Sequence, residues 1–490
     1  MTAVLSKAET LASLPAPWPE DLRSQLRAMV ASQPDHKLVV LDDDPTGTQT
    51  VYDIPVLTTW DVATLRAEFD QPGPCFYLLT NSRSLPPGAA HEMNREIARN
   101  LREAVWRASG FDAEPSQSRQ LCCRAFTLVS RSDSTLRGHF PLETDVLAEE
   151  LGPFDATILI PYLEAGGRYT INDVHYVAEG DQLVPAAETP FARDAAFGYR
   201  HSNLRAWVEE KTSGRVKADE VVSFSIPELR TQSISHEPTR RVFLKLRSLP
   251  RRAVAIVNCA ALADAEFFAV ATLWAEKTGG RYLFRTAAQF VSARLGLEPR
   301  PLLTAADLGT PASGGGLIVV GSHVPKTTEQ LACLLDRTGM AHVELAVDSL
   351  RDETSARATI ADAAQQVDNQ LRASQDVTLF TSRRLVTAAD ASESLRLGQR
   401  VSSALVEIVS RLATSPRFFV AKGGITSSDL ATKALGVRRA IVCGHIWPGV
   451  PVWQLGSESR FPGLNYVVFP GNVGGPEALL QVVQTLIQRV

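Results

Sequence analysis

The sequence predicts an α/β fold with two domains, each built on a largely parallel sheet flanked by helices. Short runs of Val, Ile, Leu and Phe alternate with helix-length segments, as buried parallel strands do. The 490 residues exceed what one ordinary core holds. Residues 297–314 are rich in Pro, Gly and Ser, which is typical of a linker. We therefore expect a domain at 1–296, a linker at 297–314 and a second domain at 315–490.

The composition argues against several classes of protein. The 50 Lys and Arg against 54 Asp and Glu give a net charge of −4, so we expect no nucleic-acid surface built on bulk positive charge. No signal peptide or long apolar stretch occurs, so we expect no membrane segment. The six cysteines form no C-x-x-C pair, which favours reduced thiols in a cytoplasmic protein. The oligomeric state is left open, and a homo-oligomer is compatible with the sequence.

Polar side chains follow three predicted strands of the first half. The strands at 37–41, 76–79 and 126–129 lead into polar segments at 42–44, 80–83 and 130–138. In open parallel sheets, ligands bind beyond the carboxyl ends of the strands, because the following loops converge there. The sequence therefore predicts that acids and arginines gather at one edge of the first domain.

Asp42, Asp43 and Asp44 are consecutive carboxylates, and their repulsion needs a cation, a donor array or a substrate hydroxyl to offset it. One Asp could cap a helix, whereas three more often bind a cation, accept a proton or grip hydroxyls. The pattern Asp42-x-Asp44-x-Thr46 also fits the aspartyl nucleophile loop of haloacid-dehalogenase-type phosphatases, in which Asp42 would attack phosphorus. That fold needs a later strand ending in two acids, and the later strand ends carry glycine instead. This phosphatase and a non-catalytic ligand-binding protein stay as alternatives.

The loops after the second and third strands offer groups for a small polar substrate. Arg137 is suited to clamp a carboxylate or phosphate through two hydrogen bonds, while Asp133 and nearby hydroxyls hold sugar hydroxyls. The alternative is a polar loop with an internal Asp133–Arg137 pair. The candidate substrate-binding residues are Asn81, Ser82, Arg83, Asp133, Ser134 and Arg137.

Glycine turns follow three predicted strands of the second half. Such turns expose backbone N–H groups, which suit phosphate, and we expect a positive φ at Gly424. The chain lacks the G-x-G-x-x-G and Walker patterns, which disfavours a Rossmann dehydrogenase and a P-loop ATPase. The candidate nucleotide-binding residues are Ser322, Gly423, Gly424, Ile425, Thr426, Gly471, Asn472 and Gly474.

In their order and spacing these elements resemble the four-carbon acid sugar kinases. The resemblance implies an N-terminal acid-sugar-binding domain, a C-terminal nucleotide-binding domain and an active site in the interdomain cleft, where ATP donates a phosphoryl group to a substrate hydroxyl. The chain departs from the family's Gly-Ser-x-Ser and Gly-Gly-acid-Thr patterns, because Val324 and Ile425 take the places of the last Ser and the acid.

Phosphoryl transfer needs positioning, positive potential and one carboxylate that accepts the hydroxyl proton. We expect Asp43 or Asp44 to be that carboxylate, and Arg83 and Arg137 to hold the carboxylate of the substrate. Mg²⁺ is expected to accompany ATP, with its protein ligands unassigned. The expected substrate is a tetronate, an oxo-tetronate or a related four- or five-carbon sugar acid.

Overall fold

The structure is a computed structural model, and it describes residues 3–108, 126–231, 237–311, 313–383 and 391–488. Of the six cysteines, Cys122 and Cys123 lie outside these ranges, and the other four are free thiols. None of the helices within these ranges is long and apolar enough to span a bilayer.

The described chain alternates strands with helices for most of its length. The strands are β1 (Leu5–Ser6), β2 (Lys37–Asp42), β3 (Ile54–Leu57), β4 (Cys75–Leu79), β5 (Phe126–Arg131), β6 (Ala156–Ile160), β7 (Arg168–Ile171), β8 (Val174–Glu179), β9 (Gln182–Pro185), β10 (Val222–Phe224), β11 (Ala253–Val257), β12 (Tyr282–Thr286), β13 (Leu317–Val320), β14 (Ala341–Leu345), β15 (Val377–Thr381), β16 (Phe419–Lys422), β17 (Arg439–Trp447), β18 (Val450–Leu455) and β19 (Asn465–Phe469). The helices are α1 (Lys7–Ser13), α2 (Arg23–Ala31), α3 (Val62–Phe69), α4 (Pro87–Ala108), α5 (Leu142–Leu151), α6 (Leu204–Lys211), α7 (Ile226–Arg230), α8 (Glu237–Arg247), α9 (Leu262–Lys277), α10 (Gln289–Leu295), α11 (Ala305–Leu308), α12 (Pro325–Thr338), α13 (Glu353–Arg372), α14 (Ala391–Ser410), α15 (Gly424–Asp429) and α16 (Ala478–Ile487).

The chain divides into two compact units. The first unit comprises Met1–Val51 and Thr59–Pro299, and the second comprises Tyr52–Thr58 and Arg300–Val490. The boundary near residue 300 falls within the segment that the composition marked as a linker. The short segment 52–58 belongs to the second unit although it lies far from that boundary in the sequence.

The first unit contains a parallel sheet of seven strands in the order β10-β11-β6-β12-β5-β2-β4. Strand β2, between β5 and β4, is buried along all six residues, because helices cover both faces of such a sheet and no alternation with polar residues is needed. A second, antiparallel sheet has the order β1-β9-β8-β7. The predicted parallel α/β architecture is confirmed here.

The second unit contains a mixed sheet in the order β3-β17-β18-β19-β16-β13-β15-β14. The five strands from β19 to β14 are parallel to their neighbours within that group, and β3, β17 and β18 pair antiparallel. β3 joins through the register of Ile54 with Val442. The sequence analysis had placed β3 in the first domain, since antiparallel pairing between distant segments leaves no mark on local composition.

Part of the segment predicted as a linker packs in the second unit. Leu303 and Leu308 are buried in its main hydrophobic cluster, and the backbone N–H of Leu303 donates to the carbonyl of His445 over 2.7 Å. The continuously exposed stretch of this segment runs from residue 298 to 302, and exposed and buried residues alternate after it.

We expect brief digestion with subtilisin to cut the chain first between residues 298 and 302, because few contacts cross such a boundary. The two fragments should co-elute in native size-exclusion chromatography, since β3 of the N-terminal fragment pairs with β17 of the C-terminal fragment. They should separate in denaturant. Fragments that separate without denaturant would contradict the assignment of residues 52–58 to the second unit.

Candidate functional site

The first unit collects charged side chains at the carboxyl ends of neighbouring strands. β2 lies between β4 and β5, and its last residue, Asp42, is in register with Leu79 and Arg131. The segments 43–48, 80–84 and 132–138 follow these strands, and they come together because parallel strands end at one edge of their sheet. They hold all the residues that we assigned from sequence to catalysis and substrate binding.

Asp42 is a buried carboxylate paired with an arginine. Arg131 Nη1 donates to Asp42 Oδ1 over 3.0 Å, and both side chains are almost fully buried. Burial raises the pKa of Asp42 to about 7 against the opposing charge of Arg131. A Cβ at Gly47 would overlap this carboxylate, so only a glycine backbone can lie over it. Asp42 is therefore shielded from a ligand.

The Asp43 carboxylate accepts more hydrogen bonds within the described ranges than those of its two neighbours. Arg83 Nη2 donates to Asp43 Oδ1 over 2.5 Å, and Ser132 Oγ donates to Oδ2 over 2.6 Å. Burial favours the neutral form, but the charge and hydrogen bond of Arg83 and the charges of Arg131 and Arg285 hold the pKa of Asp43 below its usual value. Asp43 thus stays ionised and fixes Arg83 at the sheet edge.

Asp44 has the most accessible carboxylate of the three. Its Oδ1 accepts from the backbone N–H of Thr46 over 2.9 Å and caps the short 3₁₀ turn Pro45–Thr48. Its Oδ2 lies 3.7 Å from Arg83 Nη1, which is too far for a hydrogen bond. The Asp44 side chain is 22% exposed, against 3% for Asp43. Oδ2 of Asp44 can therefore accept a hydrogen bond from a ligand.

Asp133 and Arg137 pair within the loop after β5. Arg137 Nε donates to Asp133 Oδ2 over 2.7 Å, and Arg83 Nη1 lies 3.8 Å from Asp133 Oδ1. Burial opposes ionisation, but the two arginines hold the pKa of Asp133 well below its usual range. Arg137 also lies 3.7 Å from Asp194 and covers the ring of Phe191. Both arginines that we predicted to hold the substrate are thus already paired with carboxylates of the chain.

The other three predicted substrate-binding residues differ in their contacts. Ser82 is fully buried and donates to Glu143 Oε1 over 2.5 Å, so its hydroxyl supports the loop. The carbonyl of Ser134 accepts from His175 over 2.8 Å. Within the described part of the chain, neither the Ser134 hydroxyl nor the Asn81 amide makes a hydrogen bond. These two groups can face a ligand without breaking a contact.

Arg131, Arg285 and Glu143 belong to this cluster although we did not assign them from the sequence. Arg285 Nη1 donates to Glu143 Oε2 over 2.5 Å, and its Nη2 donates to Ser132 Oγ over 2.8 Å. The available signal was a single arginine near the end of an apolar strand, as in Tyr282–Thr286. Buried arginines need carboxylate partners, so this pattern indicates an ion pair at the strand end.

The second unit brings its three glycine turns together. β16 lies between β13 and β19, and its last residue, Lys422, is in register with Val320 and Phe469. The turns that follow these strands lie at residues 321–323, 423–426 and 470–474. They contain all the residues that we assigned from sequence to the nucleotide.

The three turns pack closely against one another. A Cβ at Gly321 would overlap the hydroxyl of Thr426, and a Cβ at Gly423 would lie 3.1 Å from Ser322 Cβ. A Cβ at Gly471 would lie 3.3 Å from Ser322 Oγ. Backbone and hydroxyl groups therefore line the place where the turns meet, and such a surface suits phosphate.

The expected positive φ lies at Gly423 rather than at Gly424. Gly423 has φ +122°, and Gly424 is the first residue of α15. The prediction for Gly424 is wrong because a residue inside a right-handed helix has a negative φ. The next residue, Ile425, is 58% exposed, so the departure from the acid of the family pattern presents an apolar side chain to solvent.

Asn472 and Gly474 complete the third turn. Lys326 Nζ donates to the carbonyl of Asn472 over 3.4 Å. Gly474 has φ +83°, and a Cβ there would overlap the side chain of Ala478 in α16. Glycine is thus required at 474 to start the last helix, while Asn472 presents its backbone to a lysine.

Lys422 is a buried lysine beside the turns that we did not assign from the sequence. Its Nζ donates to the carbonyl of Pro470 over 2.6 Å and lies 3.8 Å from the centre of the Phe469 ring. No carboxylate within the described ranges forms an ion pair with it. Burial, with the nearby charge of Lys326, lowers the pKa of Lys422 to about 7. Its signal in the sequence is a single lysine at the end of the apolar run Phe419–Lys422.

Among the residues that the structure describes, no group of three His, Cys, Asp or Glu side chains is arranged to hold a metal ion. At the charged edge of the first unit, Asp42, Asp43 and Asp133 are paired with arginines instead. The glycine turns of the second unit fit a phosphate group.

Two curated proteins are similar to the chain over most of its length. A D-threonate kinase of Cupriavidus necator is 27% identical over 373 residues, which are 74% of this chain and 80% of that protein. A 3-oxo-tetronate kinase of Pectobacterium atrosepticum is 25% identical over 361 residues, or 71% of this chain and 78% of that protein.

Solved structures share the fold. Protein HI1011 of Haemophilus influenzae matches with a TM-score of 0.61 and 18% identity, covering 92% of this chain and 100% of that one. A protein of Salmonella typhimurium described as a putative tRNA synthase matches with a TM-score of 0.63 and 18% identity, covering 91% of this chain and 98% of that one. At this identity the likeness concerns the fold alone.

Family models match both halves of the chain. A sugar-binding N-terminal domain matches residues 38–294, and a nucleotide-binding C-terminal domain matches residues 317–479. The first model contains the Asp and Arg cluster, and the second contains the three glycine turns. The chain therefore belongs to the four-carbon acid sugar kinase family.

Proposed function

We propose that the protein is an ATP-dependent kinase that phosphorylates a hydroxyl of a small sugar acid, such as a tetronate, an oxo-tetronate or a related four- or five-carbon acid. The observation that carries the proposal is the accessible Oδ2 of Asp44 beside paired arginines, in a chain whose other unit gathers glycine turns around a buried lysine. The names of the two kinase relatives support the same substrate class.

Asp44 is the proposed proton acceptor. A general base needs a carboxylate oxygen that a substrate hydroxyl can reach. Asp43 is saturated by Arg83 and Ser132, and Asp42 is covered by Gly47. Oδ2 of Asp44 is the remaining candidate among the three, and it lies 3.7 Å from Arg83 Nη1.

The glycine turns are the proposed phosphate site. When bound, ATP supplies the phosphoryl group, and Mg²⁺ accompanies it through phosphate oxygens and water. In this proposal the backbone of Gly423 and the hydroxyls of Ser322 and Thr426, which lie where the turns pack together, bind phosphate oxygens, and Lys422 and Lys326 pair with the phosphate charge. These groups orient the nucleotide and need no protein carboxylate.

The phosphatase alternative is not favoured by the geometry of Asp42. A nucleophilic carboxylate must reach phosphorus, yet Asp42 is 1% exposed, is paired with Arg131 and lies beneath Gly47. A non-catalytic ligand-binding protein would have the same pockets but no need for an accessible base. The substitutions below separate these alternatives.

Asp44→Asn should lower the turnover number by roughly 10²–10⁴-fold with little change in the KM for the sugar acid, because the amide keeps the shape but cannot accept the proton. ADP release with a panel of tetronates, oxo-tetronates and branched five-carbon acids measures this. The exposed Asp35→Asn is the matched control and should behave like the wild type. If Asp42→Asn alone is inactive and Asp44→Asn keeps full turnover, the kinase assignment of this turn is wrong.

Gly423→Ala should abolish the rise in melting temperature that ATP produces while leaving the rise produced by the sugar acid. The new methyl group meets Ser322 at a φ of +122°, which displaces the backbone that faces phosphate. Gly463→Ala is the matched control, because Gly463 also has a positive φ but nothing within 4 Å. Normal stabilisation of a folded Gly423→Ala variant by ATP would place the phosphates elsewhere.

The free energy of unfolding of the wild type, relative to Lys422→Met, should rise by up to about 1.4 kcal/mol per pH unit above pH 7. The folded-state pKa of Lys422 is lowered to about 7 from 10.5. Between pH 7 and pH 10.5 the unfolded chain binds a proton that the folded chain does not, so the free energy of unfolding increases with pH. Below pH 7 both states are protonated, and the difference in free energy of unfolding between the wild type and Lys422→Met does not change with pH. Urea unfolding from pH 6 to pH 9.5 measures it, with Lys433→Met, whose lysine is 64% exposed, as control. A flat difference throughout would show an ordinary pKa.

A further inference from the structure

Five arginines surround the charged edge of the first unit, and four of them have carboxylate partners. The four pairs are Arg83 with Asp43, Arg131 with Asp42, Arg137 with Asp133 and Arg285 with Glu143. The fifth is Arg168. Among the described residues no carboxylate lies within ion-pair distance of it, so its charge is the one that the chain leaves without a counterion at this edge.

Arg168 has one edge of its guanidinium in use, and the other edge makes no hydrogen bond within the described ranges. Its Nη1 donates to the carbonyl of Gly166. Its Nε is buried and has no hydrogen-bond partner, and no hydrogen bond of Nη2 occurs within the described ranges. The Nε and Nη2 donors form the side-on edge with which arginine binds both oxygens of a carboxylate. A buried donor without a partner costs free energy until a ligand supplies an acceptor.

The small antiparallel sheet holds Arg168 beside the predicted substrate residues. Arg168 is the first residue of β7, and its backbone N–H donates to the carbonyl of Leu163 over 2.9 Å. Its guanidinium carbon lies 5.5 Å from the centre of the Phe191 ring, and that of Arg137 lies 5.1 Å from the same centre. Phe191 therefore carries two guanidinium groups, of which Arg137 is neutralised by Asp133 and Arg168 is not.

We propose that Arg168 binds the carboxylate of the sugar acid through its Nε–Nη2 edge and thereby sets the preference for acids over neutral polyols. This rests on the proposed function. It reassigns the role that we had predicted for Arg83 and Arg137, whose carboxylate partners belong to the chain itself. Those two arginines instead hold Asp43 and Asp133 in place, and the substrate carboxylate pairs with Arg168, which forms no ion pair within the described ranges.

The test compares a tetronate with the four-carbon alditol of the same hydroxyl configuration, in which CH₂OH replaces the carboxylate. Arg168→Met should lower kcat/KM for the tetronate by about 10–100-fold, as expected for loss of one charge-assisted bidentate pair. The loss should lie in KM and should leave kcat/KM for the alditol unchanged. Arg168→Lys should show an intermediate loss, because lysine keeps the charge but not the planar pair of donors. Arg200→Met is the matched control, since Arg200 is 83% exposed. It should retain the wild-type ratio of kcat/KM for the tetronate to kcat/KM for the alditol.

A binding measurement without ATP separates this inference from the proposed function. The tetronate alone should raise the melting temperature of the wild type and of Arg200→Met but not of folded Arg168→Met. If the wild type shows this shift but releases no ADP with any acid, the kinase proposal fails and the role of Arg168 stands. The inference is overturned if a folded Arg168→Met variant shows the wild-type rise in melting temperature with the tetronate. It is also overturned if this variant keeps the wild-type ratio of kcat/KM for the tetronate to kcat/KM for the alditol. A wild type with neither shift nor turnover for any sugar acid overturns both.

Discussion

The ion pair between Asp43 and Arg83 is the interaction on which the charged edge of the first unit depends. Both side chains are largely withdrawn from water, and a buried charge is tolerated only when it is paired and hydrogen-bonded. Ser132 joins the pair to Arg285 by donating to Asp43 and accepting from that arginine. Loss of one member would leave another buried charge uncompensated, at a cost of about 3–5 kcal/mol. The three loops therefore hold one another in position.

This network gives three consecutive aspartates three different environments. Asp42 is paired with Arg131 beneath Gly47, Asp43 anchors Arg83, and Asp44 caps a turn with one oxygen and leaves the other accessible. In an extended chain the side chains of successive residues point to opposite sides. Adjacent aspartates can therefore have different partners and different functions. The run of carboxylates is stable because Arg131 of β5 and Arg83 of the turn after β4 offset two of its members.

The fold could be predicted from the sequence because buried parallel strands are nearly continuous apolar runs. The runs that precede Asp42 and Gly321 mark strand ends, and the parallel arrangement then brings their loops to one edge. The sequence offered the Asp133–Arg137 pair only as an alternative, because the choice depends on a loop in which Leu136 and Gly138 have positive φ. The partners of Arg83 and Arg285 could not be predicted, because they come from other loops and strands. The entry of residues 52–58 into the second unit depends on antiparallel pairing across hundreds of residues.

The first unit pairs most charged side chains of its site with side chains of opposite charge, whereas the lysines beside the glycine turns of the second unit form no ion pair within the described ranges. The proposed ligands explain this difference. A polyphosphate carries several negative charges, so it can serve as the counterion of Lys422 and Lys326, which form no ion pair within the described ranges. A sugar acid carries one charge and must also lose a proton from a hydroxyl, so the first unit needs an ionised carboxylate close to the substrate. That carboxylate would repel the acid unless a guanidinium without an ion-pair partner contacts the acid directly. Among the described residues Arg168 is such a guanidinium at this edge, which is how an edge so rich in aspartate can still attract an anion.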